Sequence, residues 1–177
     1  MHADYKTLYT EYHKKKPSKF SGYSVVNYAD KIAELVESIG AKTILDYGCG
    51  KGFQYLRDRI HETWGGILPH CYDIGVPQIS RVPPGQYDGI ICTDVLEHIH
   101  PLDVDTVLKD IFSRTRIRAF VFLVICCRPA KKVFKDGSNV HLTIEPPEWW
   151  DEKLEQHRRE GLELVIYYDT KVLCDED

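Results

Sequence analysis

The residues best suited to chemistry fall in four stretches: Thr43 to Gly52 (TILDYGCGKG), Asp73, the DVLEHI run from Asp94 to Ile99, and the polar, aromatic segment Lys131 to Trp150. In the first, Thr43, Ile44 and Leu45 lead into Asp46 and then glycines at 48, 50 and 52, the pattern of a buried strand ending in a glycine turn. Glycine is needed where the backbone takes positive φ or meets a ligand closer than a Cβ allows, and a helix starting at Phe53 aims free N–H groups at whatever lies above the strand end. Such a turn can hold a nucleoside. It departs from both common phosphate motifs. Lys51 is followed by Gly52 and Phe53, where a P-loop needs Ser or Thr, and a dinucleotide fingerprint would require glycine at position 53. Asp73, closing a short apolar run, can accept two donors at once, as from ribose hydroxyls; its other reading is the start of the Ile74-Gly75-Val76-Pro77 turn. His98 and His141 titrate near neutrality and can take up a proton.

The acidic-x-Gly-x-Gly-x-Gly turn resembles the first motif of the class I S-adenosylmethionine (AdoMet) methyltransferases, matching at Asp46, Gly48, Cys49, Gly50 and Gly52. At family distance from it, a strand over Gly89–Thr93 followed by DVLEHI resembles the fourth-strand motif of the small-molecule and ubiquinone-biosynthesis type. With Asn-Val-His-Leu-Thr-Ile and Glu-Trp-Trp further on, most of the chain resembles short bacterial and phage AdoMet methyltransferases of unassigned substrate. The resemblance implies AdoMet as cofactor, held by Asp46, Tyr47, Gly48, Cys49, Gly50 and Gly52, with ribose at Asp73, Ile74 beside the base, and the amino-acid end at Thr93, Asp94 and Val95. It implies a small-molecule acceptor, with His141 or His98 as general base, Asn139 and Trp149 facing the substrate, and no metal. Glu97 and His98 also read as a structural start to the next helix. A second enzymatic reading takes Asp94-x-x-Glu97-His98 with His141 and Glu148-Trp149, which loosely resembles metal-dependent RNA 2′-O-methyltransferases whose two carboxylates and two histidines hold a divalent ion. A third is a non-catalytic AdoMet-binding or interaction protein.

The positioning elements follow from periodicity. Tyr5, Leu8, Tyr9 and Tyr12 have helical spacing ending at Lys14-Lys15-Lys16-Pro17, read as an outer helix or a lid over the cofactor. Tyr23 to Ile39 reads as a helix stopped by Gly40, Phe53 to Ile60 as one with Phe53, Leu56 and Ile60 inward, and Leu102 to Phe112 as one buried through Leu102, Val107, Leu108 and Ile111. Strands are expected at Ile67–Tyr72, from near Tyr87, at Ala119–Cys127 buried on both faces, and at Leu162–Tyr168. A helix after Trp149-Trp150 should run to about Glu160, with one tryptophan in the core.

These elements give an α/β fold: a Rossmann-like, doubly wound, mostly parallel sheet with helices on both faces, in one domain over 1–177, of which 1–40 holds the N-terminal helices and 41–177 the AdoMet-binding core. The family pattern is broken after Asp73. Only fourteen residues, GVPQISRVPPGQYD, precede the next strand, too few for a helix-strand-helix unit, so the third-strand edge should be missing or reduced. Ile74, Val76 or Gln78–Ser80 would then line the adenine. The closing hairpin should be abbreviated too, since only one late strand is clear.

A formal net charge of -4 argues against a general nucleic-acid or anionic-membrane binder. No apolar run approaches a membrane span, and the start has neither signal-peptide nor transit-peptide character, which makes the expected location cytoplasmic. The six cysteines lack any CxxC pair and are expected reduced and mostly buried in strands, with the acidic Asp175-Glu176-Asp177 tail unordered.

Overall fold

The computed structural model describes residues 9–11, 22–134 and 137–171. The expectations for Lys14–Lys16, for Cys174 and for the acidic tail lie outside them, and of the N-terminal helix only a helical turn at 9–11 lies within.

Five strands form one sheet in the order β2-β1-β3-β4-β5. They are β1 (Ile44–Tyr47), β2 (His70–Tyr72), β3 (Tyr87–Thr93), β4 (Thr115–Cys126) and β5 (Leu162–Asp169), and every neighbouring pair is parallel. The chain enters at β1, moves outward to β2, then crosses back to β3 on the other side. Strand order reverses between β1 and β3, and in open parallel sheets a crevice opens there at the carboxyl ends. All four functional stretches reach that end of the sheet.

Alternation along β4 sorts two cores. Phe120, Phe122 and Val124 pack with Ile44, Ile91 and the buried stripe of α1 (Ala29–Ile39), which is Ile32, Leu35 and Val36. Val121, Leu123 and Ile125 pack on the other face with Leu45, Ile90, α3 (Val104–Ser113) and α4 (Pro147–Glu155). Each Ile, Leu or Phe fully buried this way contributes about 1.5–3 kcal/mol. Helices thus cover both faces, as parallel strands require. Gly40 ends α1 in the left-handed conformation, its N–H bonded to the carbonyls of Val36 and Glu37.

Both expected truncations are present. Between Asp73 and β3 there is only a 3₁₀ turn, Pro77–Ile79, so β2 is an edge strand. At the opposite edge β5 pairs directly with β4, with no closing hairpin among the described residues.

Several boundaries differ from the sequence reading. The helix expected over Phe53–Ile60 is a single turn, α2 (Phe53–Leu56), after which Arg59 takes φ 52 and a 3₁₀ segment runs Ile60–Trp64. Leu56 is 74% exposed while Gln54 and Tyr55 are buried, because their polar ends reach inward to Asp46. The helix expected from Leu102 starts at Val104, which takes the core position, while Leu102 sits exposed in a 3₁₀ turn. The helix through Tyr23–Ile39 opens as a 3₁₀ segment, Tyr23–Tyr28. The α4 helix includes both tryptophans and ends at Glu155, with Trp150 in the core. The five described cysteines are free.

Candidate functional site

The glycine turn has the backbone its composition predicts: φ is 90 at Gly48, 60 at Gly50 and 69 at Gly52. The N–H groups of Gly48 and Cys49 both donate to the carbonyl of Tyr72, at 2.7 and 3.0 Å, which ties the turn to the end of β2. Asp73 completes the brace. Its Oδ2 accepts from the Gly50 N–H at 2.9 Å and its Oδ1 from the Gly75 N–H at 2.8 Å. The turn-starting role of Asp73 and its placement beside the glycines are therefore both present.

The turn is packed at backbone distance from both sides. A Cβ on Gly48 would lie 2.2 Å from Val95 Cγ2, and a Cβ on Gly22, itself at φ 87, would lie 2.2 Å from the carbonyl oxygen of Cys49. Beneath the turn, Asp46 is buried and accepts from the Tyr55 hydroxyl at 2.6 Å and from Gln54 Nε2 at 3.5 Å; Gln54 also donates to the Cys49 carbonyl at 3.2 Å. Burial pushes the Asp46 carboxyl up to about 7, with the Tyr55 hydrogen bond opposing the rise. Asp46 thus supports the turn from below and does not face the space above it.

That space is a cavity of about 560 Å³, the size of a small-molecule site. Tyr47, Gly48, Gly50, Asp73 and Ile74 line one side, Thr93, Asp94 and Val95 the middle, and His98 and His141 the far wall. Asp94 sits at φ 54, a left-handed conformation that costs a non-glycine residue about 1–2 kcal/mol. Its N–H donates to the Val124 carbonyl at 3.0 Å, and its side chain stays open to the cavity. Desolvation by the surrounding walls raises the pKa of Asp94, while the Ser24 hydroxyl opposes. Ser24 Oγ also lies 3.0 Å from Thr93 Oγ1 and so joins the segment before α1 to the β3 exit.

The far wall is assembled from two segments sewn together through the backbone. The Glu97 carbonyl accepts from the N–H groups of Leu142 and Thr143 at 2.7 and 3.0 Å, and Thr143 Oγ1 donates to the Ile99 carbonyl at 2.7 Å. Asn139 Oδ1 accepts from the N–H groups of Ala130 and His141, while its Nδ2 donates to the Ala130 carbonyl. His98 Nδ1 lies 2.9 Å from the Val140 carbonyl and His141 Nδ1 lies 2.7 Å from the Arg128 carbonyl. A carbonyl only accepts, so both Nδ1 atoms carry the hydrogen and both Nε2 atoms keep a lone pair. Burial lowers the His98 pKa to about 4 and lowers that of His141 as well. Glu97 is fully buried without a well-formed hydrogen bond to either carboxyl oxygen, and desolvation lifts its pKa well above the carboxylate range, with the nearby N–H groups of Glu97 and Cys126 opposing the rise.

Ten of the residues singled out in the sequence share this cavity; Asp46, Cys49, Gly52, Asn139 and Trp149 do not line it. Asn139 instead fastens the loop that carries His141. Trp149 points away because the next residue on the helix, Trp150, is turned into the core; it lies near Asp105, Glu152 and Gln156, with the Lys153 ammonium 4.7 Å over its ring. Of the residues proposed for the adenine, Ile74 reaches the cavity and Val76 and Gln78–Ser80 do not. The four-ligand metal arrangement anticipated with Asp94 does not assemble: among the described residues Glu97, His98 and His141 converge without it.

Other lining residues carried little sequence signal. Gly22, Tyr23 and Ser24 close the near side, preceded in the sequence only by the pattern break at Pro17–Gly22. Tyr9 caps the far wall, its hydroxyl donating to the Val140 carbonyl at 3.1 Å and its ring edge-on to His98 at 5.8 Å. Arg128 and Asp169 form an ion pair at 2.7 Å on the cavity rim, and the guanidinium holds the Asp169 pKa below the usual carboxylate value. Their adjacency follows from the direct β4–β5 pairing, which places Cys126 opposite Asp169.

No helix among the described residues is long and apolar enough to cross a membrane. A family model described as a methyltransferase domain matches residues 23–160. No curated protein matches the chain.

Proposed function

The chain belongs to the class I AdoMet-dependent methyltransferase-domain family, and we propose that it transfers a methyl group from AdoMet to a small-molecule acceptor held in the cavity. Membership implies a capacity to bind AdoMet. The observation that carries the proposal is that one cavity is lined by the glycine turn, by the carboxylate residues Asp73 and Asp94, and by His98 and His141 on its far wall.

The residues present fit the cofactor. The positive-φ turn leaves a floor without side chains, at a point where a Cβ on Gly48 would already collide with Val95. Asp73, fixed by Gly50 and Gly75, lines the cavity where a carboxylate can accept from ribose hydroxyls, and Ile74 gives the base an apolar contact. Asp94, beside Thr93 and Val95, offers negative charge to an ammonium group. Asp46, Cys49 and Gly52 act from behind the turn by holding its shape. When bound, AdoMet supplies an electrophilic methyl group, so the protein must align the acceptor, exclude water and provide for the acceptor's proton. His141 or His98 meets that proton at Nε2, and Tyr9 closes the wall above them. A small acceptor suits a cavity of about 560 Å³ in a chain of net charge -4 better than RNA does.

Calorimetry with AdoMet and its demethylated product tests this. Both should bind to the wild type, Gly50→Val should abolish binding, and His141→Ala should keep binding while losing turnover. Absence of binding to either compound would overturn the proposal in favour of a non-catalytic interaction protein, and normal turnover in His141→Ala would remove that residue's role.

A further inference from the structure

The far wall contains a feature that methyl transfer by itself does not require. A carboxyl group fully withdrawn from water with both oxygens unbonded costs several kcal/mol unless something compensates it. Glu97 is in that position, and the imidazoles of His98 and His141 stand beside it. The ligand atoms of Glu97, His98 and His141 all lie within 4.8 Å of one another. Each histidine gives its Nδ1 hydrogen to a backbone carbonyl, that of Val140 or Arg128. This outer hydrogen bond is the arrangement that fixes tautomer and ring direction in metal-ligating histidines.

From this geometry we infer that Glu97, His98 and His141 form a binding site for one divalent transition-metal ion. Two imidazoles and one carboxylate are borderline ligands, suited to Zn²⁺, Co²⁺ or Ni²⁺ and poorly suited to Mg²⁺ or Ca²⁺, which favour all-oxygen shells. Bonds of about 2.1 Å set tetrahedral ligands about 3.4 Å apart, so small side-chain rotations bring the three atoms into range. The segments are held for it, since the Glu97 carbonyl binds the N–H groups of Leu142 and Thr143 and keeps His141 beside the Glu97–His98 turn. Three protein ligands leave at least one coordination position, and the cavity is lined by all three residues, so that position opens towards the acceptor. An ion there takes up both Nε2 lone pairs, and the acceptor then meets the ion through an oxygen or nitrogen instead of meeting a free imidazole. This role rests on the methyl-transfer reading, whereas the binding of the ion does not.

The test is calorimetric titration of chelator-treated full-length protein with Zn²⁺, Co²⁺ and Mg²⁺, with AdoMet titrated separately into the same samples. Zn²⁺ and Co²⁺ should bind at one ion per chain and Mg²⁺ at least about 100-fold more weakly. Glu97→Gln and His141→Ala should each weaken Zn²⁺ binding by about 100-fold or more. Glu97→Gln keeps the side-chain shape and removes the anionic ligand, so it should leave the melting temperature of the metal-free protein nearly unchanged while abolishing the rise that Zn²⁺ gives the wild type. Both variants retain every cysteine, so Zn²⁺ binding unchanged in both would place the ion on thiols and overturn the inference. So would the absence of saturable binding, or Mg²⁺ binding as tight as Zn²⁺. AdoMet binding without Zn²⁺ binding defeats the ion site alone, and Zn²⁺ binding without AdoMet binding defeats the methyl-transfer reading alone.

Discussion

Gly48→Ala tests the close packing on which the cofactor site depends. Gly48 sits at φ 90, and an L-residue pays about 1–2 kcal/mol in the left-handed region. The new methyl carbon would lie 2.2, 3.1 and 3.2 Å from Val95 Cγ2, Cγ1 and Cβ, against an ordinary carbon separation of about 3.5–4.0 Å. Val95 would have to move by about an ångström, and overpacking of that kind costs about 1–3 kcal/mol. The total, about 2–5 kcal/mol, is a large share of the roughly 5–15 kcal/mol that holds a domain together. Val95→Ala removes the collision and leaves the φ penalty, so the double variant should recover about 1–3 kcal/mol relative to the sum of the single variants. Denaturant unfolding of the wild type, both single variants and the double variant at one pH measures this coupling, and AdoMet calorimetry on the folded proteins should show weaker binding in Gly48→Ala. Additivity within about 0.5 kcal/mol, or a Gly48→Ala protein with wild-type stability and affinity, would refute the reasoning.

Two more outcomes follow from the supporting residues. The Asp46 carboxyl rises from 3.8 to about 7 on folding, so the native state holds the extra proton between those values; the contribution of this group to stability is greatest below the lower one and falls as pH climbs to the upper. About three pK units correspond to a loss of the order of 4 kcal/mol, and Asp46→Asn should flatten the slope in unfolding curves taken between about pH 4 and 7. Asn139→Ala removes three hydrogen bonds that hold the His141 loop, so kcat should fall by about tenfold or more with AdoMet affinity unchanged, as read by steady-state kinetics beside calorimetry.

Much of the fold was readable because its strongest signals are local. Glycines 48, 50 and 52 announce a positive-φ turn, the run from Ala119 to Cys126 can only be a strand covered on both faces, and the short Pro-rich stretch after Asp73 cannot hold a further strand. The near side of the cavity was legible for the same reason, since turn, Asp73 and Asp94 each follow directly from a strand end. What escaped was set by tertiary contact. Helical periodicity put Leu56 inward, but Asp46 draws Gln54 and Tyr55 in and ends the helix after one turn. Trp149 and Trp150 are equivalent in composition, and only the rotation of α4 on the sheet decides which is core. Gly22 is invisible as a site residue until the chain before α1 is seen against the Cys49 carbonyl.

The two truncations of the sheet have different consequences for the site. Loss of the edge beyond β2 removes a wall from the base side of the cavity, where Ile74 is what β2 leaves behind. At the other edge, the direct pairing of β4 with β5 brings a new group in. Adjacent strands lie about 4.8 Å apart, and the pairing that sets Cys126 opposite Asp169 leaves Arg128, two residues further on, with its guanidinium 2.7 Å from the Asp169 carboxylate. That pair anchors Arg128, and the Arg128 carbonyl accepts the Nδ1 hydrogen of His141 and thereby fixes the ring that stands beside Glu97 and His98. The abbreviated edge is therefore part of what builds the far wall, and His141 is oriented by a feature of topology that no single motif in the chain encodes.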